Sequence, residues 1–86
     1  MDSNKVLLYP MMGEKATMLR ELENKLTFIV SKESTKKDIK EAVESLYSVE
    51  IFGINTMNTM DGRKKAHIRL SEKFSAEEVA SQFGVL

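Results

Sequence analysis

The 86-residue chain reads as one α+β domain, an antiparallel four-stranded sheet with helices packed on it in the order β-α-β-α-β-β-α. Three features predict it. Apolar residues alternate at strand period in 26–30, a capping box at Thr35 and Asp38 opens a stripe at helical spacing, and two β-branched segments flank the turn signal Asp61-Gly62. No repeat, linker or low-complexity stretch divides the chain, and a smaller piece would not enclose a core, so 1–86 is a single domain.

Taken in order, Lys5 to Tyr9 (KVLLY) is a short apolar run closed by Pro10, which forces the preceding residue out of helical space and ends a first strand. Glu14 to Glu23 follows as a short helix, with Ala16, Leu19 and Leu22 inward and Glu14, Lys15, Arg20, Glu21 and Glu23 outward. Asn24 stands where a left-handed cap is tolerated. In Leu26-Thr-Phe-Ile-Val30 the residues Leu26, Phe28 and Val30 share one face and Ile29 takes the other, as in a central strand covered on both sides. A second helix spans Lys36 to Tyr47, its buried stripe being Ile39, Ala42, Val43, Leu46 and Tyr47.

Val49 to Met60 is then a long strand returning through Asp61-Gly62 into Arg63 to Leu70. A two-residue turn pairs Met60 with Arg63, Asn58 with Lys65, Thr56 with His67 and Ile54 with Arg69 on one face, leaving Met57, Ala66, Ile68 and Leu70 on the other. Ser75 and Glu78 form another capping box. They open a terminal helix with Ala76, Val79, Ala80 and Phe83 on one side and Gly84 just past its end.

Composition narrows function. Hydrophobic residues make up 42% and charged residues 30%, an ordinary folded balance. With no cysteine, disulfides, thiolate metal sites and cysteine nucleophiles are excluded, and a reduced cytoplasm is the natural setting. The first residues lack an apolar core of signal-peptide length and no run nears the ~20 residues of a bilayer span, so no membrane partner is expected. Thirteen basic residues balance thirteen acidic ones, which by itself argues against nucleic acid, so distribution decides.

Catalysis finds little support: His67 is the one histidine, and no glycine-rich phosphate loop exists. A metal at His67 would face Lys65 and Arg69, which repel a cation, so no metal, cofactor or small-molecule substrate is expected. The basic pattern is more informative. Arg63, Lys65, His67 and Arg69 share parity on one strand, with Lys64 at the turn and Asn58 and Thr56 alongside. Their spacing of ~6.6–7 Å along a strand approximates that of successive phosphates, although such residues also keep an exposed strand soluble.

Lys32, Lys36, Lys37 and Lys40 surround the start of the second helix, where the macrodipole disfavours cations. An anion received at the helix N-terminus accounts for them; pairing of Lys37 with Glu41 and Lys40 with Glu44 is the plainer alternative. Acids gather on the first helix and around the last, including Glu72, Glu77 and Glu78. The hairpin lacks the aromatic stacking residues of an RNA-recognition motif, so contacts to RNA backbone and shape are expected.

Six segments in order also resemble one known family. They are Tyr9-Pro-Met-Met-Gly-Glu-Lys-Ala-Thr17, Asn24-Lys-Leu-Thr-Phe-Ile-Val30, Ser34-Thr-Lys-Lys-Asp-Ile-Lys-Glu-Ala-Val43, Ile54-Asn-Thr56, Lys64-Lys-Ala-His-Ile-Arg-Leu70 and the helix from Ser75 to Phe83. Together they are similar to the L23 family of large-subunit ribosomal proteins, of ferredoxin-like sheet-and-helix type. The short hairpin tip, Met57 to Lys65, resembles the archaeal form rather than the long loop of bacterial members. His67 departs from the apolar or aromatic residue usual there.

The resemblance implies a ribosome-bound protein on large-subunit rRNA, chiefly domain III, beside the peptide exit tunnel and in contact with neighbouring large-subunit proteins. It implies RNA contacts at Lys15, Lys25, Lys36, Lys40, Asn55, Thr56, Lys65 and Arg69, and docking of the signal recognition particle or a nascent-chain chaperone at Glu14. Met11 and Met12, expected to be exposed, suit an adaptable docking surface. Two other readings compete: a stand-alone protein-docking module, and a small ferredoxin-like phosphatase whose required N-terminal anion loop is missing.

Overall fold

The computed structural model describes residues 3–82. Four strands, β1 (Leu7–Pro10), β2 (Lys25–Val30), β3 (Ile51–Asn58) and β4 (Lys64–Leu70), form one sheet in the order β1-β2-β4-β3 with every neighbour antiparallel. The helices are α1 (Ser3–Val6), α2 (Glu14–Glu23), α3 (Lys36–Tyr47) and α4 (Ala76–Ser81). The expected element order stands, with α1 added.

Leu26, Phe28 and Val30 of β2 and Ala66, Ile68 and Leu70 of β4 line one face and pack with Ile39, Ala42 and Val43 of α3 and Ala76, Val79 and Ala80 of α4. Phe28 stacks against Tyr47, ring centroids 6.2 Å apart. The alternation in β2 is a central strand because Thr27 and Ile29, on the other face, are buried as well. Phe83, expected beside Ala76, Val79 and Ala80, and Gly84, expected just past the end of that helix, lie outside the described residues.

Three local expectations change. Lys5 and Val6 belong to a helical turn instead of a strand. Val6 is fully buried in the core and its carbonyl accepts from Ser31 N at 2.9 Å, and a short apolar run cannot by itself separate those two states. In α2 the buried residues are Ala16 and Arg20, while Leu22 is 76% exposed. Arg20 is drawn in because its Nε lies 3.5 Å from Glu77 of α4 while its guanidinium donates to Thr17 Oγ1 and Met12 Sδ. Leu46 of α3 is likewise more exposed than its periodicity suggests, at 43%.

The hairpin differs most. Thr59 N donates to Arg63 O and Gly62 N to Thr59 O, so Met60-Asp61-Gly62 is a three-residue loop with only Gly62 at positive φ, 86°. That is a type I turn followed by a left-handed glycine, which adds one residue to the two-residue turn expected. The register therefore slips by one: Asn58 pairs with Lys64, Met57 with Lys65, Asn55 with His67 and Gly53 with Arg69. A slip of one moves a whole set of side chains to the other face. Thr56 and Asn58 thus share the helix-covered face with Ala66 and Lys64, and Met57 joins Lys65.

Candidate nucleic-acid interface

Opposite the core, β2, β4 and β3 present a face whose cross-strand rows are Lys25, Arg69 and Gly53; Thr27, His67 and Asn55; and Ile29, Lys65 and Met57. Strand parity aligns Lys65, His67 and Arg69 as the sequence required, and the centre of the sheet places Lys25 beside them. Helix α2 covers part of this face: Lys15, Ala16 and Leu19 line an 80 Å³ cavity together with Met11, Thr27, Lys65 and His67. Lys15 and Lys25 are near enough to His67 to act on its protonation.

His67 is half-buried, and its Nδ1 lies 3.0 Å from Thr27 Oγ1. Burial first, then the charges of Lys65, Lys25 and Lys15, hold its pKa below the usual value, with Glu23 pulling weakly the other way. The ring is thus a neutral hydrogen-bonding group of the patch at pH 7 rather than one of its cations. Because protonation is favoured in the unfolded chain, the His67 contribution to free-protein stability should be constant above about pH 7.5 and decline as pH falls through about 6.5. His67→Phe, which does not titrate, should flatten that decline between about pH 7.5 and 5.5 in urea melts; an equally steep decline in the variant would assign it to other groups.

Glu23 was expected with acids remote from the patch, yet it sits at the rim. It pairs with Lys25 at 2.9 Å, and that hydrogen bond, followed by the charges of Lys25 and Arg69, lowers its carboxyl pKa.

The lysines of α3 pack behind the sheet but reach its β3 edge. Lys36, Lys37 and Lys40 line a hollow of about 290 Å³ with Ile51, Phe52, Gly53 and Ile54. Phe52, Gly53 and Ile54 also line the neighbouring hollow of about 260 Å³ formed with Lys25, Asn55, His67 and Arg69. The two basic groups accordingly meet around one strand edge. None of the ion pairs among the described residues involves Lys36, Lys37 or Lys40, so the pairing with Glu41 and Glu44 is not formed.

Thr35 N donates to Asp38 Oδ2 at 2.9 Å and Asp38 N to Thr35 Oγ1 at 3.1 Å, so a carboxylate already occupies the N-terminus of α3. The backbone hydrogen bond from Thr35 lowers the Asp38 pKa. The α3 lysines consequently act as point charges on flexible stems.

The hairpin-tip cations stand apart. Arg63 lies in the turn, with Nη2 2.9 Å from Asp61 Oδ2 and a hydrogen bond to Tyr9 Oη. Lys64 Nζ donates to the Ser34 carbonyl at 2.6 Å, tying β4 to the loop before α3, and Lys32 lies near Gly62.

Of the residues expected to dock a factor, Glu14 is exposed, but Met11 and Met12 are half-buried. Met11 N donates to Thr27 O at 2.8 Å, and Met12 Sδ accepts from Arg20. The exposed large apolar side chains of α2 are Met18 at 51% and Leu22 at 76% exposure. Among the described residues no His, Asp and Glu cluster suits a metal, and no helix is long and apolar enough to cross a membrane.

Sequence comparison adds an independent finding. The pattern of the family Ribosomal protein L23 matches residues 5–78. A relative from Methanococcus aeolicus, named large ribosomal subunit protein uL23, is 44% identical over 85 residues, 99% of each chain. A relative of the same name from Methanococcus vannielii is 42% identical over the same share.

Proposed function

The chain belongs to the L23 family of large-subunit ribosomal proteins, and from that premise we propose that it is a non-catalytic constituent binding large-subunit rRNA through its open sheet face. The observation that carries this reading is the convergence of Lys15, Lys25, Lys65 and Arg69 on one face, joined at the β3 edge by Lys36, Lys37 and Lys40. Zero net charge then reflects uneven distribution instead of a lack of affinity for phosphate.

Asn55 projects from the same face as a hydrogen-bonding group, whereas Thr56 and Asn58 reach RNA only at the edge of β3. By family resemblance the RNA is domain III near the exit tunnel, with neighbouring large-subunit proteins around it, on ribosomes in the cytoplasm. Filter binding to a domain III fragment tests this: log affinity should fall linearly with log salt as condensed counterions are released. An affinity indifferent to salt would remove the phosphate-binding basis.

A second role rests on α2, where Glu14, Met18 and Leu22 are exposed away from the basic rows. That mixed acidic and apolar surface suits docking of the signal recognition particle or a nascent-chain chaperone while the sheet holds RNA.

A further inference from the structure

Between Ile51 and Gly53 the β3–β4 register breaks. Ile51 pairs with Leu70 and Gly53 with Arg69, leaving Phe52 as the extra residue of a bulge. Bulges re-aim side chains; here the aromatic ring is turned outward at a sheet edge and left 73% exposed. One side of it is occupied, since the Arg69 guanidinium Cζ lies over the ring at 5.2 Å from its centroid. The neighbouring Gly53 leaves bare space on the open face: a Cβ added there would have nothing within 4 Å. Phe52 also lines both basic hollows, the one with Lys36, Lys37 and Lys40 and the one with Lys25 and Arg69.

We infer that Phe52, braced by Arg69, is a stacking platform for one unpaired nucleobase of the bound RNA. The inference deepens the rRNA-binding reading and rests on it. A strand crossing the β3 edge sets phosphates against lysines on either side of the ring, which puts the intervening base over the large exposed aromatic face that the described residues present at that edge. A planar apolar surface bordered by cations recognises a base by stacking and its backbone by charge, without sequence preference. The contact adds an aromatic element to an interface otherwise built for backbone and shape. A protein partner would find the same ring ringed by five cations, a poor match for an apolar anchor.

Oligoadenylate and an abasic ribose-phosphate strand of equal length carry the same charge and differ only in bases, so they separate stacking from phosphate binding. The full-length chain should bind the base-bearing strand more tightly by roughly 5- to 150-fold, the usual worth of one aromatic–base stack. Phe52→Leu, at an exposed site outside the core, should abolish that preference, bringing the ratio of the two strands' affinities to about one whatever the change in phosphate binding through Arg69. Phe52→Trp should retain it, and fluorescence of this sole tryptophan should be quenched by oligoadenylate but not by the abasic strand. Equal binding of both strands by the unaltered chain, or a full preference surviving in Phe52→Leu, would overturn the stacking role while leaving phosphate binding intact. Absent binding of both strands would overturn the stacking role alone, whereas salt-independent binding of a domain III fragment would overturn the rRNA reading and this inference together.

Discussion

Replacing Lys65 and Arg69 together by glutamate should weaken binding to a domain III fragment by at least about 100-fold near physiological salt, and neutralising each should lower the salt slope by about one. Both side chains stand on one face of β4 in rows with Lys25 and Met57-bearing β3, so reversal opposes phosphates along the centre of the patch. Neither is in the core, and circular dichroism should report an unchanged fold. The α3 lysines permit a sharper separation of folding from binding. Lys36→Glu with Lys37→Glu places acids at a helix N-terminus, where each contributes about 0.3–1 kcal/mol, so thermal stability should rise by a few degrees. RNA affinity should nevertheless fall, because these residues line the edge of the same surface. Arg63→Gln is the contrasting case: its guanidinium is engaged by Asp61 and Tyr9, and the affinity loss should be much smaller than at Arg69. If the α3 pair left affinity untouched, RNA would be confined to the open face and would not cross the β3 edge.

How far such a surface can be read before folding depends on what fixes each residue. Parity alone aligned Lys65, His67 and Arg69, and α3 was legible to its ends because the Thr35–Asp38 box and a regular stripe agree. Which β3 residues stand beside them depended on one loop residue. Thr59-Met-Asp-Gly62 carries glycine at the fourth turn position, the mark of a type I turn, yet Asp-Gly also reads as a shorter loop; the difference moved Asn55 onto the basic face and Thr56 off it. The role of Phe52 is not legible in the sequence, because an aromatic residue in a β-branched run has the pattern of an ordinary strand position. The glycine after it was the available sign of a bulge. Arg20 and Leu22 exchanged their expected environments for a tertiary reason, the Glu77 carboxylate on α4, which no local pattern within α2 encodes.

Asn24→Ala should be among the most destabilising single substitutions, costing about 2–4 kcal/mol and lowering the melting temperature by roughly 10–25 °C. Asn24 closes α2 in the left-handed region at φ 55° and ψ 40°, a conformation that alanine adopts only at a cost of about 1–2 kcal/mol. Its side chain then ties the sheet to α4: Nδ2 donates to Phe74 O at 2.9 Å, with longer contacts to the Ser71 and Leu70 carbonyls, and Oδ1 accepts from Ala76 N at 2.7 Å. Removing the amide leaves those half-buried backbone groups without that partner at the point where α4 begins, and each such loss costs on the order of 1 kcal/mol. Asn24→Gly separates the two contributions, because glycine takes the positive φ freely but makes none of the bonds, so it should lie between wild type and alanine. Equal stability of the glycine and alanine variants would assign the whole effect to the hydrogen bonds. A wild-type melting temperature in Asn24→Ala would mean that α4 is held by its apolar residues alone. The same tie bears on the basic face, since Asn24 precedes Lys25, which pairs across the sheet with Arg69, and the Asn24 carbonyl accepts from Leu70 N at 3.1 Å. A loosened joint at this end should therefore weaken RNA binding at temperatures where the remaining fold is still intact.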